Sequence, residues 1–175
     1  TGPIFVFFYS IMGLFMGALA DRVHRPRLIA AGLLLWSALT AVSGMAKNFV
    51  QIGVARLFIG VGESAMTPSA ISMISDLFPK ARRGTATGIY YLGVPLGAGG
   101  SFIVAGILGP MIGWRNCFFL LGGIGVFLAL GLLFLKDPKR GAMEEKEDSM
   151  APEQEEALLG GDWRRVISDV LLVVR

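Results

Sequence analysis

The chain has little of the side-chain chemistry that catalytic and metal sites require. Its 175 residues include one cysteine, Cys117, and one histidine, His24. A single cysteine cannot form an internal disulfide, so the redox compartment stays open. A membrane-embedded enzyme or a metal site would need clustered histidine, cysteine or acidic side chains within its spans. We therefore predict that the protein is not an enzyme and uses no metal ion or other cofactor.

Charged residues are also scarce. They make up 17% of the chain, against about a quarter in soluble domains, and the mean hydropathy is +0.64. Five apolar stretches approach or exceed the roughly 20 residues that a helix needs to cross a bilayer, and they are apolar on nearly every face. The sequence therefore predicts an all-α membrane protein whose residues 1–135 form five transmembrane helices, at 2–20, 28–46, 49–78, 85–108 and 117–135.

Lysine and arginine fall unequally on the loops between these stretches. Loops 21–27, 79–83 and 136–165 hold most of them, whereas the intervening loops hold only Lys47 and Arg115. The positive-inside rule places the basic loops in the cytoplasm. We therefore predict an integral multi-pass protein of a bacterial inner membrane. The net charge of +3 reflects this topology, so nucleic acid is not an expected partner, whereas membrane lipids are.

The two ends of the sequence indicate a piece of a larger bundle. Thr1 opens directly into an apolar stretch without an initiator methionine, which predicts a further span upstream. The middle of loop 136–165 is rich in carboxylates, which is typical of a solvated connection. A sixth apolar stretch begins at Val166 and occupies 166–175.

An arginine and a glutamate interrupt the third apolar stretch. Arg56 and Glu63 are seven residues apart, which puts both on one helix face about 10 Å from each other. With Phe49 at the outer surface, Glu63 would lie about 21 Å into the membrane. Ionisable groups at such depth usually face a cavity and mark a substrate or proton path. We predict that Glu63 couples protons and that Arg56 is its partner and anchors an anionic substrate; the alternative is a static ion pair.

Two motifs resemble those of the major facilitator superfamily. The first loop matches G-x-x-x-D-R-x-G-R-R at Gly17, Asp21, Arg22 and Arg25. His24 departs from that pattern, since glycine is usual there. The third stretch matches the fourth-helix motif R-x-x-x-G-x-G at Arg56, Gly60 and Gly62. The resemblance implies helices 2 to 6 of the N-terminal six-helix bundle plus the start of helix 7. The C-terminal six-helix half would then be a partner within the same protein.

Small residues and prolines are predicted to set how these helices pack and bend. Glycine in a membrane helix allows a neighbouring backbone to approach, and proline removes a hydrogen bond and bends the helix. The residues expected to act in this way are Gly60, Gly62, Pro68, Gly93, Pro95 and Gly97.

Asp76 is expected to form part of a gate. It lies at the cytoplasmic end of the third stretch, close to where Arg22 and Arg25 of the first loop should be. We predict an ion pair between Asp76 and that loop, made and broken as a transporter rocks. The alternative is a carboxylate that is simply solvated at a helix end.

Within the superfamily the chain resembles the Spinster family. The shared runs are Asp21–Arg25, Gly60–Ser64 with Pro68, Asp76–Phe78, Gly88–Tyr91, Val94–Gly97, Gly113–Arg115 and Asp137–Gly141. The resemblance implies proton-driven export of an amphiphile such as a lysolipid or sphingolipid. An organic-anion or drug antiporter of the same superfamily and a non-transporting membrane scaffold remain as alternatives.

Overall fold

The computed structural model describes residues 2–149, in which all regular structure is helical. The predicted loop beyond residue 149 and the predicted helix start at 166–175 lie outside the described residues. In chain order the elements are α1 (Gly2–Ala20), α2 (Arg25–Ser43), α3 (Phe49–Ser64), α4 (Met66–Leu77), α5 (Lys80–Ile103), a π-helical segment (Val104–Leu108), α6 (Gly109–Ile112), α7 (Trp114–Leu132) and α8 (Ala142–Asp148).

Within residues 2–149, four helical stretches have the length and composition to cross a membrane. They are Arg25–Ser43, Phe49–Leu77, Lys80–Ile112 and Trp114–Leu132, and Phe5–Ala20 is a shorter apolar helix. Helices α2 and α7 each begin and end three residues before the spans expected at 28–46 and 117–135. The chain therefore has the helix order that the sequence indicates, with shifted helix ends.

The span expected at 49–78 is present as the single stretch Phe49–Leu77, but its α-helix is not continuous. It is interrupted at Ala65, whose N–H donates to the Gly62 carbonyl, three residues back, at 3.4 Å. Pro68 explains the interruption, because it has no N–H to donate to the Ser64 carbonyl and its ring crowds the preceding turn. Ala65 keeps helical dihedral angles, φ of −76° and ψ of −22°, and the chain continues as α4 within the same span, so Glu63 and Ser64 lie directly before the interruption.

Helix α5 begins five residues before the expected span, directly after Pro79. Pro95 lies inside α5, and the helix continues beyond this proline to Ile103. The helix changes geometry later, at the π-helical segment, where the Gly109 N–H donates to the Val104 carbonyl. The thiol of Cys117 on α7 lies 4.0 Å from the same carbonyl. The sequence did not predict this irregular segment.

The helices approach one another through small residues. Helix α2 packs between α3 and α7, and the buried side chains of these three helices include Ala30, Ala55 and Ala129. Gly32 and Gly62 face each other so closely that a Cβ added to either would lie 2.6 Å from the other's carbonyl oxygen. Large apolar side chains point outward instead. This distribution is expected of helices that meet lipid or further helices on their outer faces.

The loops gather at two ends of the bundle. We call the first the basic end, formed by residues 21–24, 78–79 and 133–141; there Arg140 donates to the carbonyls of Ala20 and Val23 at 2.7 and 2.8 Å. At the opposite end the guanidinium of Arg115 donates to the Ala46 carbonyl at 3.3 Å. The loops predicted to be cytoplasmic therefore share one end.

Candidate functional site

Arg56 and Glu63 both lie on α3, but they are not joined. Among residues 2–149 no ion pair links them. The Arg56 side chain is exposed, and its guanidinium carbon lies 6.0 Å from the centre of the Phe118 ring on α7. Glu63 is half-buried, at the midpoint of the 29-residue stretch Phe49–Leu77. The structure thus holds a carboxylate near mid-span without fixing it to the arginine.

Helix α3 is held in place at both ends of this site. At its start the Asn48 side chain accepts from the Gln51 N–H at 2.9 Å, and the Gln51 side chain accepts from the Lys47 N–H at 2.7 Å. The Asn48 cap satisfies one of the donors that a helix start leaves free, and the Gln51 side chain ties the preceding residue to the first turn. Beyond Arg56, a Cβ at Gly60 would meet the Phe5 ring of α1 at 2.9 Å. The two predicted packing glycines, Gly60 and Gly62, therefore sit at the contacts of α3 with α1 and α2.

Hydroxyl groups surround the break that follows Glu63. The hydroxyls of Thr67 on α4 and Tyr90 on α5 are 3.4 Å apart, which joins these helices. The Ser64 hydroxyl donates back to the Val61 carbonyl at 2.8 Å. The hydroxyl of Ser69 is buried and has no hydrogen-bond partner among the described residues. Glu63 therefore lies next to a polar stretch of an otherwise apolar span.

A second cluster lies at the basic end and is centred on Arg25. Its side chain is fully buried and forms an ion pair with Asp76 at the end of α4. The same guanidinium nitrogen also donates to the Ser72 hydroxyl at 2.9 Å. The ion pair predicted between Asp76 and the first loop is thus present, with Arg25 as its cation. Its opening and closing during transport stays a prediction.

The segment after α7 completes this cluster, and the sequence did not predict it. Asp137 accepts from the Arg25 side chain at 2.8 Å and from the Arg25 backbone N–H at 2.9 Å. The Pro138 carbonyl accepts from the same guanidinium at 2.7 Å. The Gly141 N–H donates to Asp76 at 2.9 Å. The sequence signal for this contact was Asp137, a carboxylate that closely follows the fifth expected span and precedes Pro138 and Gly141.

The other residues of the predicted loop motif have separate surroundings. A Cβ at Gly17 would lie 4.0 Å from the Cβ of Pro68, so these two residues mark the contact of α1 with α4. Asp21 is 4.0 Å from Arg140, and both side chains are largely exposed. Arg22 is exposed. Only Arg25 of this loop reaches Asp76.

The predicted packing residues of α5 have no close neighbour in the described part of the chain. A Cβ at Gly93 or Gly97 would meet no other atom within 4 Å. Their packing role therefore stays a prediction.

The apolar groove between α2 and α3 does not coincide with the polar groups. Its volume is about 430 Å³, and it is lined by side chains that include Leu39, Val42, Val54 and Phe58. Gln51 is its one polar side chain, and neither Arg56 nor Glu63 lines it. The groove is thus separate from the candidate site.

Apolar helices of spanning length, with loops gathered in a charged cluster at one end, define an integral multi-pass membrane protein. The family model described as Major Facilitator Superfamily matches residues 2–174. The chain belongs to this superfamily.

The relatives to which the chain is similar include transporters of more than one kind. The chain is 33% identical over 75% of its length to a probable L-galactonate transporter of Escherichia coli, and 32% identical over 83% to protein spinster homolog 1 of Homo sapiens. It spans only 29% and 28% of those two proteins.

Solved structures also show similarity to Spinster. The chain is similar to a bacterial homologue of the human lysosomal transporter Spinster in an inward-facing, occupied conformation, at 32% identity and a TM-score of 0.70. That match covers 83% of this chain and 37% of the other. The unoccupied form of the homologue matches at 32% identity with a TM-score of 0.68, over 81% of this chain and 35% of the other. The chain is therefore Spinster-like within its superfamily.

Proposed function

We propose that the chain is part of a secondary active transporter that moves an amphiphilic, lysolipid-like molecule by alternating access. The substrate and protons are its partners, and the basic end faces the cytoplasm. The observation that supports proton coupling most directly is the half-buried Glu63, at mid-span without an ion-pair partner among residues 2–149. A carboxylate that no neighbour locks in the charged state can bind and release a proton as the cavity opens to either side.

The exposed guanidinium of Arg56 supports the second part of the proposal. It carries its charge at every relevant pH and presents a planar set of donors that fits a phosphate or a carboxylate. In this chain it lies over an aromatic ring rather than against a carboxylate. Arg56 is therefore free to hold the anionic head group of a substrate, about two helical turns from Glu63 along α3.

A second candidate function has its own support. The named relatives include a probable L-galactonate transporter, and galactonate is a hydrophilic carboxylate. An organic-anion carrier would use Arg56 in the same way but would not bind an acyl chain. Proteoliposomes that contain the full-length protein can separate the two functions. Uptake of a fluorescent lysophosphatidylethanolamine supports the lipid carrier, and uptake of labelled L-galactonate without lipid transport supports the anion carrier.

Proton coupling is tested with Glu63→Gln in the same proteoliposomes. We expect this variant to lose substrate-driven proton movement while it keeps exchange of labelled for unlabelled substrate, because only the proton-binding group is removed. Glu145→Gln is the matched control, since that carboxylate is exposed and pairs with the exposed Lys139. Full proton-driven transport by Glu63→Gln would refute the coupling role.

A further inference from the structure

Arg25 is bound by more groups than a single gating pair requires. Its side chain has 0% relative exposure, and its guanidinium and Nε donate to Ser72, Asp76, Asp137 and the Pro138 carbonyl. A buried arginine without these acceptors would be strongly destabilising. The second carboxylate, Asp137, comes from beyond α7, more than a hundred residues away in sequence.

Asp137 accepts two separate hydrogen bonds from Arg25. One of its oxygens accepts from the Arg25 side chain, and the other accepts from the Arg25 backbone N–H, in the first turn of α2. His24, at the position where a side chain would normally cap α2, makes no such bond. Asp137 therefore caps α2 from a distant segment and also fixes the direction of the arginine side chain that α2 begins with.

The same segment also contacts the other member of the pair. The Gly141 N–H donates to the Asp76 oxygen that Arg25 does not use. Gly141 has φ of 69°, a conformation in which other residues are strained, and this φ directs the chain back toward α4. Residues 137–141 thus contact both Arg25 and Asp76 and fix the position of one side chain relative to the other.

We propose that Asp137 is a positioning residue of the gate, which sets the geometry of the Arg25–Asp76 pair through the strap of residues 137–141. The strap links the exit of α7 to the start of α2 and the end of α4. A change in the strap therefore changes the pair. The effect on transport rests on the function proposed above, whereas the coupling of Asp137 to Arg25 does not.

The coupling is tested by thermal unfolding of the full-length protein in detergent. Asp137→Asn should lower the melting temperature by roughly 5 °C and Arg25→Gln by roughly 10 °C, and the double variant should fall by much less than the sum, because the two groups share one interaction. The control is Glu144→Gln, which neutralises an exposed carboxylate whose nearest cation is Arg83 at 3.7 Å, outside the strap. Additive shifts, or an Asp137→Asn shift no larger than the control's, would overturn the proposal.

Transport kinetics distinguish positioning from mere support of the fold. With the fluorescent lysophosphatidylethanolamine as probe, Asp137→Asn should lower the maximal rate about tenfold and leave KM within about twofold, since the strap is far from Arg56. Asp137→Glu should recover part of the rate. A raised KM at an unchanged maximal rate would overturn the proposal. If the wild-type protein transports no probe, the proposed function fails, and the thermal cycle still decides whether Asp137 positions Arg25.

Discussion

Gly62→Ala should separate two helices. The added Cβ would lie 2.6 Å from the Gly32 carbonyl oxygen and 3.2 Å from the Trp36 backbone nitrogen, both of which are backbone atoms that cannot rotate away. Ordinary contact begins at 3.4 Å, so α2 and α3 must move apart by about 0.8 Å, the difference between 3.4 and 2.6 Å. Overpacking of this kind costs about 1–3 kcal/mol. We expect a melting temperature lower by roughly 5 °C.

Gly53→Ala is the matched control for this prediction. Gly53 lies on the same helix, and a Cβ there would meet nothing within 4 Å. Alanine is also the better helix former, by up to about 1 kcal/mol, so this variant should unfold at or above the wild-type temperature. Thermal unfolding of the purified protein in detergent gives both values. If Gly62→Ala melts as high as Gly53→Ala, the close approach of α2 and α3 at Gly62 is wrong.

Three further substitutions test the charged groups. Arg25→Gln should cost about 3–5 kcal/mol of stability, because Asp76 and Asp137 lose their shared cation while only 12% and 17% of their side chains are exposed. Arg22→Gln, at an exposed position of the same loop, should stay within about 0.5 kcal/mol of wild type by the same thermal measurement. Arg56→Gln should raise KM for an anionic lysolipid about tenfold or more but not for an uncharged analogue; equal effects on both would remove Arg56 from head-group binding.

The order of the helices was predictable because a membrane span can be recognised from its apolar composition. The absence of charge over about 20 residues is a strong local signal, and basic loops mark alternate span ends. The break at Ala65 was harder to predict. Pro68 was recognised as a bending residue, but proline is tolerated in membrane helices, so its presence alone does not say whether the helix bends or ends.

The candidate site was predictable only where its residues share one helix. Arg56 and Glu63 are related by helical spacing, and such spacing can be counted in the sequence. The absence of an ion pair between them depends on rotamers and on Phe118, which belongs to another helix. The contacts of Asp137 with Arg25 join residues 112 positions apart. No local pattern contains such contacts, since they follow from how the helices pack.

Glu63 and Asp76, one from each polar cluster, lie on one stretch of chain on either side of the interruption at Ala65. Glu63 precedes the turn at Ala65, whereas Asp76 ends the helix that follows it. Helix α4 contacts α5 through Thr67 and Tyr90, and it is tied to α2 and the strap through Asp76. The span Phe49–Leu77 therefore carries both the mid-span carboxylate and the carboxylate that binds Arg25, about 20 Å apart along its axis.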